Sequence, residues 1–147
     1  MRTKTKTESQ RGSGLVEFSL VAFQLCLLLF AVLEFGRMVL VATTVAHAAR
    51  TGVRYAIVHG ATRTGTGVDG PSGPGSTAQI TANVTRYASS GLLDTTRLTI
   101  AVTYPDTATT NSPGSRVVVK VVYPYDPFTV LPLHINLGST AEGIICF

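Results

Sequence analysis

Hydrophobic positions divide this 147-residue chain into three regimes. From Phe18 to Leu33 the apolar run is almost unbroken, sixteen residues in which only Ser19 and Gln24 are polar. With Gly14, Leu15 and Val16 in front, it approaches the roughly 20 residues that cross a bilayer as a helix. From Glu34 to Val58 there is no proline, and apolar or small residues recur at helical intervals: Met38, Val41, Val45, Ala49, Val53 and Ala56. Arg37, Thr44, Arg50 and Arg54 fall on other faces. One helix from Ser13 to Val58 would be about 69 Å long. Its first half faces lipid, and its second half offers one apolar stripe to a soluble domain. Gly36 and Gly52 weaken it by about 1 kcal/mol each relative to alanine, and mark candidate bends or close approaches. His59-Gly60 is the predicted stop, with glycine available for a left-handed cap.

Beyond that stop the pattern breaks. Residues 60–76 include Thr64-Gly65-Thr66-Gly67 and Gly70-Pro71-Ser72-Gly73-Pro74-Gly75, and read as a long mobile loop. No Gly-Lys-Ser/Thr follows and no strand precedes, so the glycines do not form a phosphate loop. Ser76 or Thr77 is placed to cap a second helix from Ala78 to about Ser90, with Ile80, Val84, Tyr87 and Ala88 along one face and Gly91 ending it.

The period then changes to two. Leu98, Ile100, Val102 and Tyr104 alternate with Arg97, Thr99 and Thr103, and Val117, Val119, Val121 and Tyr123 alternate with Arg116 and Lys120. The two segments pair most simply as an antiparallel hairpin. Pro124, Pro127 and Pro132 interrupt the remainder of the chain, leaving Leu131–Ile135 and Glu142–Phe147 as short edge strands. The sheet has one apolar face to cover, and the distal half of the long helix is the available cover. The predicted fold is α+β: a long N-terminal helix, half transmembrane and half amphipathic, packed on a small antiparallel sheet in a ladle shape. A head of about 90 residues is small enough to be marginal without that helix.

The formal charge of +4 invites a nucleic-acid reading until its position is considered. Arg2, Lys4, Lys6 and Arg11, against Glu8, leave only +1 for everything after residue 12. No basic stripe with interleaved aromatics survives, so nucleic acid is not an expected partner. The leader charge instead keeps the N-terminus cytoplasmic. Residues 1–12 are polar and aperiodic, and read as disordered. A secretory signal would need a small-x-small site just past the apolar run. The nearest, Ala46-His47-Ala48, begins thirteen residues beyond Leu33, so the apolar helix is expected to stay in the mature protein.

Candidate chemistry is sparse. His47, His59 and His134 fall on unrelated elements, and Asp69, Asp94, Asp106 and Asp126 sit beside turn residues, where aspartate is common. No nucleophile elbow or His-x-x-x-His appears. No catalytic residue, metal site, cofactor or small-molecule substrate is predicted. Cys26 and Cys146 read as packing cysteines, with a Cys146–Cys146 bridge between subunits as the alternative in an oxidising compartment. Glu34, about 26 Å along the helix from Glu17, is placed near the opposite interface and within reach of Arg37. Gln24 can bond between helices or to its own backbone.

Glu17 is the exception. An acid near a helix N-terminus can be stabilised by the helix dipole alone. An ionisable group entering a bilayer also costs up to about 2.5–3.5 kcal/mol at the centre, and should have a partner. The residues do not choose between these readings by themselves. Arg11-Gly12 followed by Ser13-Gly14-Leu15-Val16-Glu17-Phe18, however, resembles the processing site of class III prepilin-like proteins. Ala31-Val32-Leu33-Glu34-Phe35-Gly36-Arg37 and Ala48-Ala49-Arg50-Thr51-Gly52-Val53-Arg54-Tyr55-Ala56 continue the likeness. Together they resemble a TadE-like minor pseudopilin of tight-adherence (Flp-type, type IVb) pili, densely over residues 11–58 and loosely after.

The resemblance implies a processing site at Gly12, Ser13, Glu17 and Phe18, with residues 1–12 cut away, a transmembrane segment at 13–35 and a soluble head at 36–147. It implies an assembly ion pair in which Glu17 attracts the new Ser13 amine of an adjacent subunit. The implied partners are the membrane, a prepilin peptidase, pilus platform proteins and assembly ATPase, a sister pseudopilin and the major pilin. The implied location is the bacterial inner membrane, single-pass, with the head periplasmic and entry into the extracellular pilus left open. The alternative is a membrane-tethered periplasmic binding module that uses the helix only as an anchor.

Overall fold

The computed structural model describes residues 6–106, 110–128 and 134–146, with side chains from residue 12 onward. One helix, α1, runs Lys6–Val58, and a second, α2, Ala78–Ser90. Three strands follow, β1 (Thr99–Thr103), β2 (Arg116–Tyr125) and β3 (Ile135–Ile144), forming an antiparallel sheet in the order β1-β2-β3. The arrangement is α+β, as expected. The chain divides into two compact units, Met1–Arg37 and Met38–Phe147. Residues 6–12, expected to lack structure, are helical, because extending a formed helix takes one hydrogen bond per residue fixed and no new nucleus.

In the second unit the core lies between the distal part of α1, α2 and one face of the sheet. Val45, Ala48, Ala49, Val53 and Ala56 from α1 meet Ile80, Val84 and Ala88 from α2 and Val117, Val119 and Val121 from β2, all buried. The α1 contribution is mostly small, which brings backbones close. A Cβ on Gly52 would sit 2.6 Å from Val84 Cγ2 and 3.2 Å from Val119 Cγ1, and one on Gly143 would sit 2.6 Å from Ile57 Cδ1. Gly52 is therefore a close-approach glycine and not a bend. Gly36 has nothing within 4 Å of its would-be Cβ.

The end of α1 is not capped by a left-handed glycine; Gly60 is absent from the positive-φ residues. Its last four carbonyls find other donors. The His59 ring Nδ1 donates to Tyr55 O at 2.8 Å, the His59 amide to Ala56 O, the Cys146 amide to Ile57 O at 3.0 Å, and Arg63 to Val58 O. All four orphan acceptors of the last turn are thus satisfied. The C-terminal tail is part of this closure, since Ile145 is buried in the core and its amide donates to Ser115 O.

The 60–76 segment, expected as a long mobile loop, is tied to the head by hydrogen bonds. The Ser72 amide donates to His59 O at 2.7 Å, and the Ser72 carbonyl accepts from Asn111 Nδ2 at 2.8 Å. Tyr55 Oη reaches Val68 O at 2.6 Å, beside a short 3-10 turn at Gly67–Asp69. Composition concealed this, because the acceptors are backbone carbonyls. The strands also differ from expectation. β2 continues through Pro124, which pairs in register with Asn136. β1 reaches only as far as Val122, so at Pro124 β2 has a neighbour on one side only, where proline is tolerated. β3 covers Ile135–Ile144 as one strand; of the expected Leu131–Ile135 segment, residues 131–133 lie outside the described residues, as does Phe147.

α2 has the expected bounds but different ends. Thr77 occupies the N-cap position with helical dihedrals (φ −87°, ψ −2°) and its side chain makes no cap, which requires extended backbone. At the C-terminus Gly91 has φ −86°, and the left-handed residue is Leu92 at φ 61°. Leu93 N–H bonds Ala88 O and Leu92 N–H bonds Ser89 O, the paired bonds of a Schellman end. Glycine stands one place early because the helix end abuts α1: a Cβ on Gly91 would lie 2.4 Å from Thr44 Cγ2.

Leu92 is 97 % exposed and buries nothing in return for its strained backbone. Leu92→Gly should stabilise the head by about 0.5–1 kcal/mol, the left-handed strain removed less the added unfolded-state entropy. Gly52→Val should destabilise it by about 1–3 kcal/mol through overpacking. Denaturant melts of the full chain in detergent, followed by tyrosine fluorescence, test both signs; a loss for Leu92→Gly or no change for Gly52→Val contradicts this packing.

Candidate assembly site

In the first unit most of the described side chains of α1 are exposed. Leu15, Phe18, Phe23, Leu27, Phe30 and Leu33 are all more than half exposed, on every face of the helix. The helix is long and apolar enough to cross a membrane. Its few polar groups are treated differently. Ser19 Oγ donates to Val16 O at 2.8 Å, satisfying itself within the helix. Gln24 makes no hydrogen bond among the described residues, so the bond to its own backbone is not formed there. Glu34 lies 3.8 Å from the Arg37 guanidinium, the pairing expected one turn along at the end of the apolar run.

Gly12, Ser13, Glu17 and Phe18 all lie on α1, and all are exposed. A Cβ at Gly12 would meet nothing within 4 Å, so no packing requires glycine there. Ser13 and Glu17 are four residues apart and share one face of the helix. Among the described residues no hydrogen bond or ion pair reaches Glu17. A carboxylate at the mouth of an apolar sleeve, open to approach, is available to a cation from outside the chain.

The head gathers no comparable centre. His47 lies against Tyr87, His59 is stacked on Tyr55 with ring centroids 3.8 Å apart, and His134 is exposed beside Asp126. The four aspartates are dispersed as well. Asp94 Oδ1 accepts from the Thr96 amide and hydroxyl, capping the Thr95–Arg97 turn. Asp106 forms a bidentate pair with Arg116, which also reaches Glu142 Oε1 at 3.3 Å. Asp126 receives His134 Nδ1 at 2.9 Å and the Arg97 guanidinium. Among the described residues no three potential ligands stand together as a metal site.

Residues 12–54 match the TadE-like protein family. The chain matches no curated protein and no solved structure. The TadE-like segment starts at the candidate cut, takes in the whole uncovered sleeve, and ends within the α1 stripe that packs the head. It agrees with the likeness carried by the Gly12–Phe18, Ala31–Arg37 and Ala48–Ala56 blocks, and associates the chain with tight-adherence pili and a membrane anchor. α2 and the sheet lie outside it.

The two head ion clusters were not visible in the sequence, because Arg97 reaches Asp126 only in the actual β1–β2 register and Arg116 meets Glu142 only once β3 and its register are known. The Arg116 guanidinium holds the Asp106 carboxyl below its usual range, and His134, then Arg97, do the same for Asp126. A carboxylate whose folded value is lowered contributes stability that is complete above the unfolded value near 4 and fades as pH falls through the lowered one. Melting temperature should therefore drop between about pH 5 and pH 3, with a shallower drop in Asp106→Asn. Parallel pH profiles for the two proteins would contradict this pairing.

Proposed function

We propose that this chain is a membrane-anchored pseudopilin that takes part in assembly or initiation of an adhesive tight-adherence pilus after its leader is cut between Gly12 and Ser13. The carrying observation is the coincidence of the TadE-like segment with an uncovered apolar helix whose entry-end acid, Glu17, has no partner among the described residues. Cleavage would release the Ser13 amine at the start of that helix. In lipid, a free ammonium and a free carboxylate each carry a desolvation penalty that their pairing offsets, so a Glu17–Ser13 contact between neighbouring subunits selects axial register. The helix spans the inner membrane with the cationic leader on the cytoplasmic side. Prepilin peptidase, the platform and its ATPase, a sister pseudopilin and the major pilin are the partners this role requires. The role is non-catalytic.

Mass spectrometry of the protein recovered from piliated cells should find Ser13 at its N-terminus, and Gly12→Ala should leave the leader attached. Glu17→Gln should insert in the membrane at normal levels while recovery with its pilus partners falls several-fold. An uncut leader in cells with working pili, or normal co-assembly of Glu17→Gln, contradicts the proposal and favours a tethered binding module, which needs neither a cut nor a subunit-pairing acid.

A further inference from the structure

The cations of the head are unevenly provided for. Arg97 and Arg116 are locked to acids, and Arg63 is spent on the carbonyls of Asp69 and Val58. Arg50 and Arg54, one turn apart on α1, have no hydrogen bond or ion pair among the described residues. Arg86 on α2 has only Asn83 Oδ1, at 3.1 Å. These three arginines line two neighbouring hollows where α1 meets α2, which together form a groove. One hollow is lined by His47, Arg50, Thr51, Arg54 and Tyr87, and the next, sharing Thr51 and Tyr87 with it, by Asn83, Arg86 and Ser90 as well. No acid lines either. Unpaired like charges at i,i+4 on α1 are mildly destabilising. The fold gives no reason for the arginines: Gly52, Val53 and Ala56 do the packing around them, and Tyr55 pins the loop.

We infer that this groove is a docking site for an acidic peptide segment of a partner protein. The hollows, about 270 and 240 Å³, are each below the roughly 300 Å³ at which compact small-molecule pockets begin, but they adjoin, which suits an extended or helical chain better than a single small anion. The arginines project from the sides of helices, and no helix N-terminus lines the hollows to supply a phosphate cradle. Separate planar forks one helical turn apart match successive carboxylates, which guanidinium groups bind bidentately. Tyr87 adds an aromatic wall, while the Thr51 and Ser90 hydroxyls and an Asn83 amide N–H donate to the carbonyls of His47, Tyr87 and Gln79, so recognition falls to the arginines. The sum of head charge hides this, because the acids that bring it near neutrality lie elsewhere.

The test uses the full chain in nanodiscs of zwitterionic lipid, with a fluorescent oligoglutamate peptide followed by anisotropy. Saturable binding that weakens as salt rises is expected. Arg54→Gln and Arg86→Gln should each weaken it roughly tenfold, as for loss of a charge-assisted hydrogen bond. Lys120→Gln, on the solvent face of the sheet, should leave it unchanged. Absence of binding, or equal loss in Lys120→Gln and the arginine variants, overturns the inference. Inorganic phosphate, anionic-lipid vesicles or single-stranded DNA displacing the peptide through the same arginines, at lower charge concentration than free oligoglutamate, overturns it in favour of those ligands. Leader cleavage does not enter this readout, so its outcome is separate from that of the pilus reading.

Discussion

α1 carries two apolar surfaces that must leave water, and the protein supplies a cover for only one. Along Val45–Ala56 the surface is narrow and built of small residues, so α2 and the sheet come close enough that Gly52, Gly91 and Gly143 have no room for a side chain. Burying Val53, Ile80, Val84 and the three β2 valines contributes about 1.5–3 kcal/mol each, and this seam holds a head otherwise made of thirteen helical residues and three strands. Along Leu15–Phe35 the surface is broad, aromatic and aliphatic on all sides, and its large apolar side chains are exposed. Lipid, or the apolar helices of other subunits, is the cover that such a surface requires.

Polar groups follow the same division. Inside the apolar stretch Ser19 is satisfied by its own helix, while Glu17 and Gln24 have no partner among the described residues, at positions where burial makes a partner valuable. On the head, most charges are consumed locally: Arg116 ties the β1–β2 connection to β3 through Asp106 and Glu142, and Asp126 joins Arg97 to His134. Glu17 in one unit, and Arg50, Arg54, Arg86, Lys120 and Asp69 in the other, are charged groups whose side chains make no ion pair among the described residues. Unused charge of this kind is where association is to be sought.

Much of this was legible from periodicity. The stop at Val58 and the limits of α2 follow from helical spacing and breakers, and the inward faces of β1 and β2 from the period-two recurrence of Ile100 and Val102 and of Val117, Val119 and Val121. β3 was not legible in full. Its inward positions are Ile135, Leu137, Ser139, Ala141 and Gly143, so the apolar alternation fades after Leu137, and at Gly143 the α1 side chains of Ile57 and Val53 leave no room for a larger residue. The 60–76 loop looked loose because it is rich in glycine and proline, yet it is held through the carbonyls of Val68 and Ser72, which any residue would supply. At the ends of α2, tertiary contact overrode local preference: Thr44 claims the space above Gly91 and leaves Leu92 to take the left-handed turn. In the candidate site, Gly12, Ser13, Glu17 and Phe18 were found by motif alone, whereas Arg86 joined Arg50 and Arg54 only through the packing of α2 on α1.

The claim that lipid covers the first unit can be read from the chain's own cysteines, both of which are exposed and free in the protein itself. In membranes permeabilised so that both sides are open, a water-soluble maleimide should label Cys146 readily and Cys26 only after detergent is added. Equal labelling of the two thiols before detergent would mean that Cys26 faces water, and would contradict the account.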